Sequence, residues 1–152
     1  MADSKVLFRV VGEEGDVYVE TLWATALGED RYRLDNLPFY AYGVSWDDIV
    51  LAPFDATEGM ATFKAVVTKT GNRTVRLQPD PPLSPGNASD GIIKGLVALG
   101  CDYEGSNPGY IAVNIPPDVP LDTIRDYLIE RDLVWEHADP TYKTLFPDDD
   151  PR

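Results

Sequence analysis

From Lys5 to Gln78 the chain is a succession of short runs rich in β-branched and aromatic residues, each closed by turn formers. "KVLFRVV" runs into "GEEGD", "VYVETLWATAL" into "GED", and "MATFKAVVTK" into "TGN", which opens "RTVRLQ". In "RYRLD" Arg31, Arg33 and Asp35 alternate with Tyr32 and Leu34, the period of a half-buried strand. "DIVLAPF" is a further strand and "DATEG" the turn after it. This spacing predicts that strands dominate residues 5 to 78. They would form a strongly bent antiparallel sheet or a partly open small barrel.

The pattern changes after "PDPPLSPGNAS", which holds four prolines in eleven residues and reads as a linker. "SDGIIKGLVALG" predicts a helix over roughly 89–99, capped by Ser89 and stopped at Gly100. "GYIAVNIP" is a strand, and "DVPLDTIRDYLIERD" predicts a second helix over about 119–131. Pro120 suits its first turn, and Leu121, Ile124 and Leu128 form its buried stripe beside Tyr127. "LVWEHA" is a closing strand. The class is therefore α+β, with a ferredoxin-like βαβαβ half carrying two helices after the β-rich half. The sequence divides into a β-rich half (1–78), a Pro-rich linker (79–89), an α/β half (90–140) and an acidic tail (141–152). A single integrated domain is the other division it allows.

Several chemistries lack their residues. The single cysteine, Cys101, excludes an internal disulfide and a thiolate metal cluster, and it reads as a small core residue. The single histidine, His137, builds no His-rich metal site and reads as structural. No glycine-rich phosphate loop is present. No apolar stretch approaches the roughly 20 residues of a membrane span, and the first residues lack an apolar signal core. The expectation is a cytoplasmic protein with no cofactor, no metal and no membrane partner.

Charge points to a partner. With 26 acids against 13 bases the net charge is -13, a field that repels nucleic acid and anionic lipid and attracts basic proteins. Residues 102 to 139 hold nine acids and two bases. On the second helix Asp122, Asp126 and Glu130 are spaced by four and stack on one face, with Asp118 ahead of them.

"RLDNLPFYAYGVSWDDIVLA" (residues 33–52) is the most unusual stretch. Asn36 and Pro38 turn the chain, Phe39 is expected to be largely buried as a plug for the sheet, and Gly43 allows a positive φ. Glu20 and Arg76 are expected to pair beneath this corner. Tyr40, Tyr42 and Trp46 are too many large rings for one small core, and an exposed one is a candidate binding hot spot. Asp47 and Asp48 are neighbours that would diverge rather than converge on a substrate.

"ETLWA", "YRLDNLPFYAYGVSWDDIV" and "TGNRTVR" together resemble an uncharacterised bacterial family, domain of unknown function 4265. The pattern falls on Glu20, Leu22, Trp23, Ala24, Leu34, Asn36, Pro38, Phe39, Gly43, Asp48, Val50, Gly71 and Arg76. "LGCDYEG" and "AVNIP" are similar to its second half. The resemblance implies no activity.

The expectation for function is an acidic, non-enzymatic protein-binding protein, an immunity or inhibitor protein that neutralises a basic toxin or nuclease. Asp122, Asp126 and Glu130 would steer the partner, and Tyr40, Tyr42 and Trp46 would anchor it. The alternative is a small-molecule or regulatory domain with a pocket between sheet and helices, lined by Trp23, Phe39 and Tyr42. An enzyme using Asp48 or Glu20 as a base is a third reading.

Overall fold

The computed structural model describes residues 2–12 and 14–149. Five strands form one antiparallel sheet: β1 (Ser4–Val11), β2 (Val17–Gly28), β3 (Arg31–Leu34), β4 (Ile49–Leu51) and, beyond the short hairpin β5 (Phe54–Asp55) and β6 (Met60–Ala61), β7 (Ala65–Thr68). Their order is β1-β2-β3-β4-β7. Period-two alternation explains the core. Val6, Phe8, Leu22, Ala24 and Leu34 all turn to one face, where Val50 and Ala52 join them. Thr62, ahead of β7, bridges Leu7, and the Phe63 N–H donates to the Leu7 carbonyl at 2.8 Å. The segment just ahead of β7 therefore touches β1.

The second sheet contains β8 (Arg73–Gln78), β9 (Asp102–Asn107), β10 (Tyr110–Ile115) and β11 (Val134–Asp139). Its order is β11-β8-β10-β9, and every neighbouring pair is antiparallel. The helices α1 (Ala88–Ala98) and α2 (Leu121–Glu130) lie close to the predicted ranges. Ile93 and Leu96 of α1 and Ile124 and Leu128 of α2 pack on Val75, Leu77, Ile111, Val113 and Ile115. The alternate residues of the same strands, among them Arg76, Ala112 and Glu136, belong to the opposite, helix-free face. The architecture is α+β, built of open, mostly antiparallel sheets.

Four local expectations are corrected. The α/β half has one strand more than expected: β9, "DYEGSN", is composed of poor strand formers and gives no alternation signal. It is an exposed edge, where polar and charged residues are favoured because they discourage further pairing. Asn87 rather than Ser89 caps α1, accepting from the Asp90 N–H at 2.9 Å, while Ser89 is buried and bonds the Pro81 carbonyl. Pro120 occupies the N-cap of α2 with extended backbone rather than its first turn. The acidic tail opens with a short helix, α3 (Tyr142–Leu145), capped by Thr141. The acidic tail expected over 141–152 ends in residues 150–152, which lie outside the described residues. Among the described residues no helix is long and apolar enough to cross a membrane.

Candidate functional site

Inward alternation along β2 places Glu20 beneath residues 39–41. Its carboxylate accepts the backbone N–H of Phe39 (2.6 Å), Tyr40 (3.1 Å) and Ala41 (2.9 Å). From the other side Arg76 Nη1 donates to the carbonyls of Pro38 (3.3 Å) and Ala41 (2.8 Å). One anion holds the donors of the corner and one cation holds its acceptors. Glu20 and Arg76 therefore do not pair with each other as expected, because β2 and β8 belong to different sheets and the corner runs between them. The ion partner of Arg76 is Glu136, with Nε donating to Oε2 at 2.9 Å. Asn36 Oδ1 accepts the Trp23 N–H at 2.7 Å, and Gly43 has a φ of 79°.

Phe39 is partly buried rather than fully enclosed. Leu37, Pro38 and Ala41 are the buried residues there, and the Phe39 ring tilts against Tyr110 with centroids 6.1 Å apart. Phe39→Ala is therefore expected to cost about 1–2 kcal/mol rather than the 3–5 of a fully buried ring. Urea unfolding checks this, and a loss above about 3 kcal/mol would show a deeper ring.

With the N–H groups of residues 39–41 tied to Glu20, Tyr40 and Tyr42 hold their side chains outward. Tyr40 and Tyr42 are 48% and 49% exposed. Tyr18, Tyr40, Tyr42 and Tyr110 wall a recess of about 210 Å³ with Arg76 and Glu136 among its lining. Tyr40 stacks on Tyr18 (6.4 Å) and on Tyr110 (5.9 Å). The Arg76 guanidinium lies 4.5 Å from the centre of the Tyr42 ring, whose hydroxyl donates to Glu136 Oε1 at 2.7 Å. The Tyr110 hydroxyl donates to the Phe39 carbonyl, and burial pushes its pKa up to about 12. Arg76 is 1% exposed, and its Nη2 has no hydrogen-bond partner. Among the described residues Arg73 Nε, Asn114 Oδ1 and His137 Nδ1 are also buried without partners, but those residues do not line the recess.

The recess lies on the helix-free face of the second sheet, between the two halves, and not between sheet and helices. Of the expected lining only Tyr42 is there. Trp23 is on the outer face of β2 with the Lys5 ammonium 4.6 Å from its ring. Trp46 is exposed but apart, its Nε1 donating to Asp35 at 3.4 Å. Tyr18, Tyr110 and Glu136 were not singled out from the sequence. Tyr18 had a signal, since it lies two residues before Glu20 on the same strand face. Tyr110 and Glu136 had none.

Asp48 is fully buried. It accepts from Lys69 Nζ (2.6 Å), the Ser45 N–H (2.8 Å) and the Thr70 N–H (3.1 Å). Lys69 also bonds Asp139, and Ser45 Oγ bonds Asp139 Oδ2 at 2.5 Å and Thr74 Oγ1 at 2.8 Å. The network ties the loop before β4 to β8 and β11. Asp47 diverges from it toward Arg33, 3.6 Å away. The carboxylates of Asp48 and Glu20 are thus committed to internal donors, which is the arrangement of structural groups rather than of bases facing a substrate. No cluster of three or more potential metal ligands forms among the described residues.

Asp122, Asp126 and Glu130 are exposed along α2. Arg125 is 4.0 Å from Asp122 and Arg131 is 3.7 Å from Glu130. Because α2 covers the opposite face of the second sheet, these acids are not brought together with Tyr40 and Tyr42. His137 lies beneath α2, accepting from Arg125 Nε at 3.2 Å. Burial and then the Arg125 charge push its pKa down to about 4, so it is neutral at pH 7. Cys101 is buried in the helix-side core, and burial, with Asp102, pushes its thiol up to about 11.

The sequence matches, over residues 20–137, the model of a family described as "Domain of unknown function (DUF4265)". Among solved structures it is similar to one described as "Novel crystal structure of a hypothetical protein from Neisseria gonorrhoeae". The two share 18% identity with a TM-score of 0.74, covering 93% of this chain and 97% of that one. At that identity the likeness shows the fold alone. No curated protein matches the sequence.

Proposed function

The chain belongs to the DUF4265 family, and from its geometry we propose that it is a cytoplasmic, non-catalytic binding protein that takes hold of a basic protein partner. An immunity or inhibitor protein facing a basic toxin or nuclease is the form of this role that the net charge of -13 favours. The observation that carries the reading is the tyrosine-walled recess. Its volume of about 210 Å³ lies below the ~300 Å³ at which sites for whole small molecules begin, and it suits one anchoring side chain of a larger partner. Tyrosines are enriched in such anchors because they offer large contact area with few rotatable bonds. We also assign the β8–β11 half to the ferredoxin-like arrangement, supported by its strand order and by helices after its first and third strands. The first sheet fits a partly open barrel, supported by the Leu7–Thr62 bridge.

Since the acids of α2 and the recess occupy opposite faces, the acids act through the field of the whole protein and the recess acts by contact. Each reversal of an acid to lysine adds two charges, so Asp122→Lys, Asp126→Lys and Glu130→Lys together take the chain from -13 to -7. Against a panel of basic nuclease and toxin domains, the triple variant is expected to associate with the cognate partner about tenfold more slowly at low salt. Tyr40→Ala is expected to leave association unchanged and speed dissociation. Stopped-flow association across a salt series checks both. An association rate equal in wild type and triple variant and flat with salt overturns the steering. An unchanged dissociation rate for Tyr40→Ala overturns the anchor.

A further inference from the structure

We propose that the recess receives a neutral primary carboxamide, a glutamine or asparagine side chain of the partner protein, and that Tyr42 is the cover this group displaces. The proposal rests on the recess being the anchor site.

A guanidinium offers five N–H donors and no acceptor. Nε of Arg76 is used on Glu136 and Nη1 on the carbonyls of Pro38 and Ala41, which leaves both hydrogens of Nη2 without a partner in a residue 1% exposed. A buried donor left unpaired is unfavourable, so an occupant that brings an acceptor is favoured there. Beside it Glu136, an acceptor-only carboxylate, has Oε2 on Arg76 and Oε1 on the Tyr42 hydroxyl. The Tyr42 ring lies over the guanidinium, is 49% exposed and is held by that hydroxyl bond together with its stacking on Arg76. Turning this ring outward uncovers the unpaired donor of Arg76 and frees the acceptor of Glu136 beside it.

The group complementary to that pair carries an acceptor and a donor on one planar edge, which is an amide. Its carbonyl takes Nη2, and its N–H replaces the Tyr42 hydroxyl at Oε1. A carboxylate would meet Glu136 and the field of a chain with net charge -13, whereas an ammonium or guanidinium would meet Arg76. Arg76 and Glu136 neutralise each other, which matches a neutral occupant. The flat faces of Tyr18, Tyr40 and Tyr110 suit a planar head group and its methylenes, and about 210 Å³ accommodates them.

Benzamide, benzoate and benzamidinium share a flat ring and differ in the charge of the head group. Titrating each into the full chain, with the ¹⁵N amide shifts of residues 39–42 as readout, tests the proposal. Benzamide is expected to move these signals at millimolar concentration and to bind about tenfold more tightly than the other two, as a matched polar edge allows. Tyr42→Phe removes the hydroxyl bond that competes for Glu136, and it is expected to bind benzamide about fivefold more tightly than wild type. Preference for benzamidinium or benzoate overturns the carboxamide while leaving the recess as an anchor site. Weaker benzamide binding by Tyr42→Phe overturns Tyr42 as the cover. Silence from all three probes, in wild type and in Tyr42→Phe, overturns both the carboxamide and the anchor site.

Discussion

Glu20→Ala is expected to lower the stability of this protein by about 4 kcal/mol, close to the whole margin of a weakly stable domain. Three backbone N–H groups, of Phe39, Tyr40 and Ala41, lose a charged acceptor at once. Hydrogen bonds to charged groups contribute about 1.5–3 kcal/mol each, and three on one carboxylate do not add fully. Ala41 is buried, so water does not replace its bond freely. Glu20→Gln separates charge from shape. Its carbonyl oxygen still accepts, but its amide nitrogen faces an N–H donor, and about half the loss is expected. Urea unfolding of both variants checks the order. A loss below about 1 kcal/mol for Glu20→Ala would mean that solvent already serves these donors. The same bonds aim Tyr40 and Tyr42, so the glutamine variant is also expected to weaken partner binding while still folded.

How much of this was legible in the sequence depends on distance along the chain. Strand and helix placement came from local periods: Tyr32 and Leu34 do turn inward while Arg31 and Arg33 do not, and Gly43 and Gly100 do take positive φ. Strand β9 was missed because an exposed edge carries no hydrophobic alternation. Counting rings against the size of the core showed that Tyr40, Tyr42 and Trp46 do not easily all fit inside, but not which of them is exposed. The recess itself was not legible. Its lining comes from residues 10–12, 18, 40, 42, 76, 110 and 136, and no short-range pattern encodes contacts between two sheets. Glu20 and Arg76 were recognised as belonging together, but the reading took them as a direct pair. That a charge can be matched by backbone N–H and C=O groups instead of by an opposite charge is visible only once the corner is seen threading between them.

Asp48→Ala is expected to cost about 3 kcal/mol, because breaking a buried, hydrogen-bonded charge cluster leaves its remaining members mismatched. Asp48 is fully buried and accepts from Lys69, Ser45 and Thr70. Without it the buried Ser45 N–H has no acceptor, and Lys69 keeps only Asp139 and the Gly43 carbonyl. Lys69 is itself 42% exposed, so water relieves part of its loss, which holds the figure to the lower end of the range for buried pairs. Lys69→Met tests the same cluster from its open side. It leaves two buried carboxylates, Asp48 and Asp139, facing each other with no cation between them. It is therefore expected to destabilise more than Asp48→Ala, whereas the double variant Asp48→Ala, Lys69→Met is expected to lose less than the sum of the two single changes. Thermal and urea unfolding of the three variants close this cycle. Full additivity would show that Lys69 and Asp48 do not act on each other.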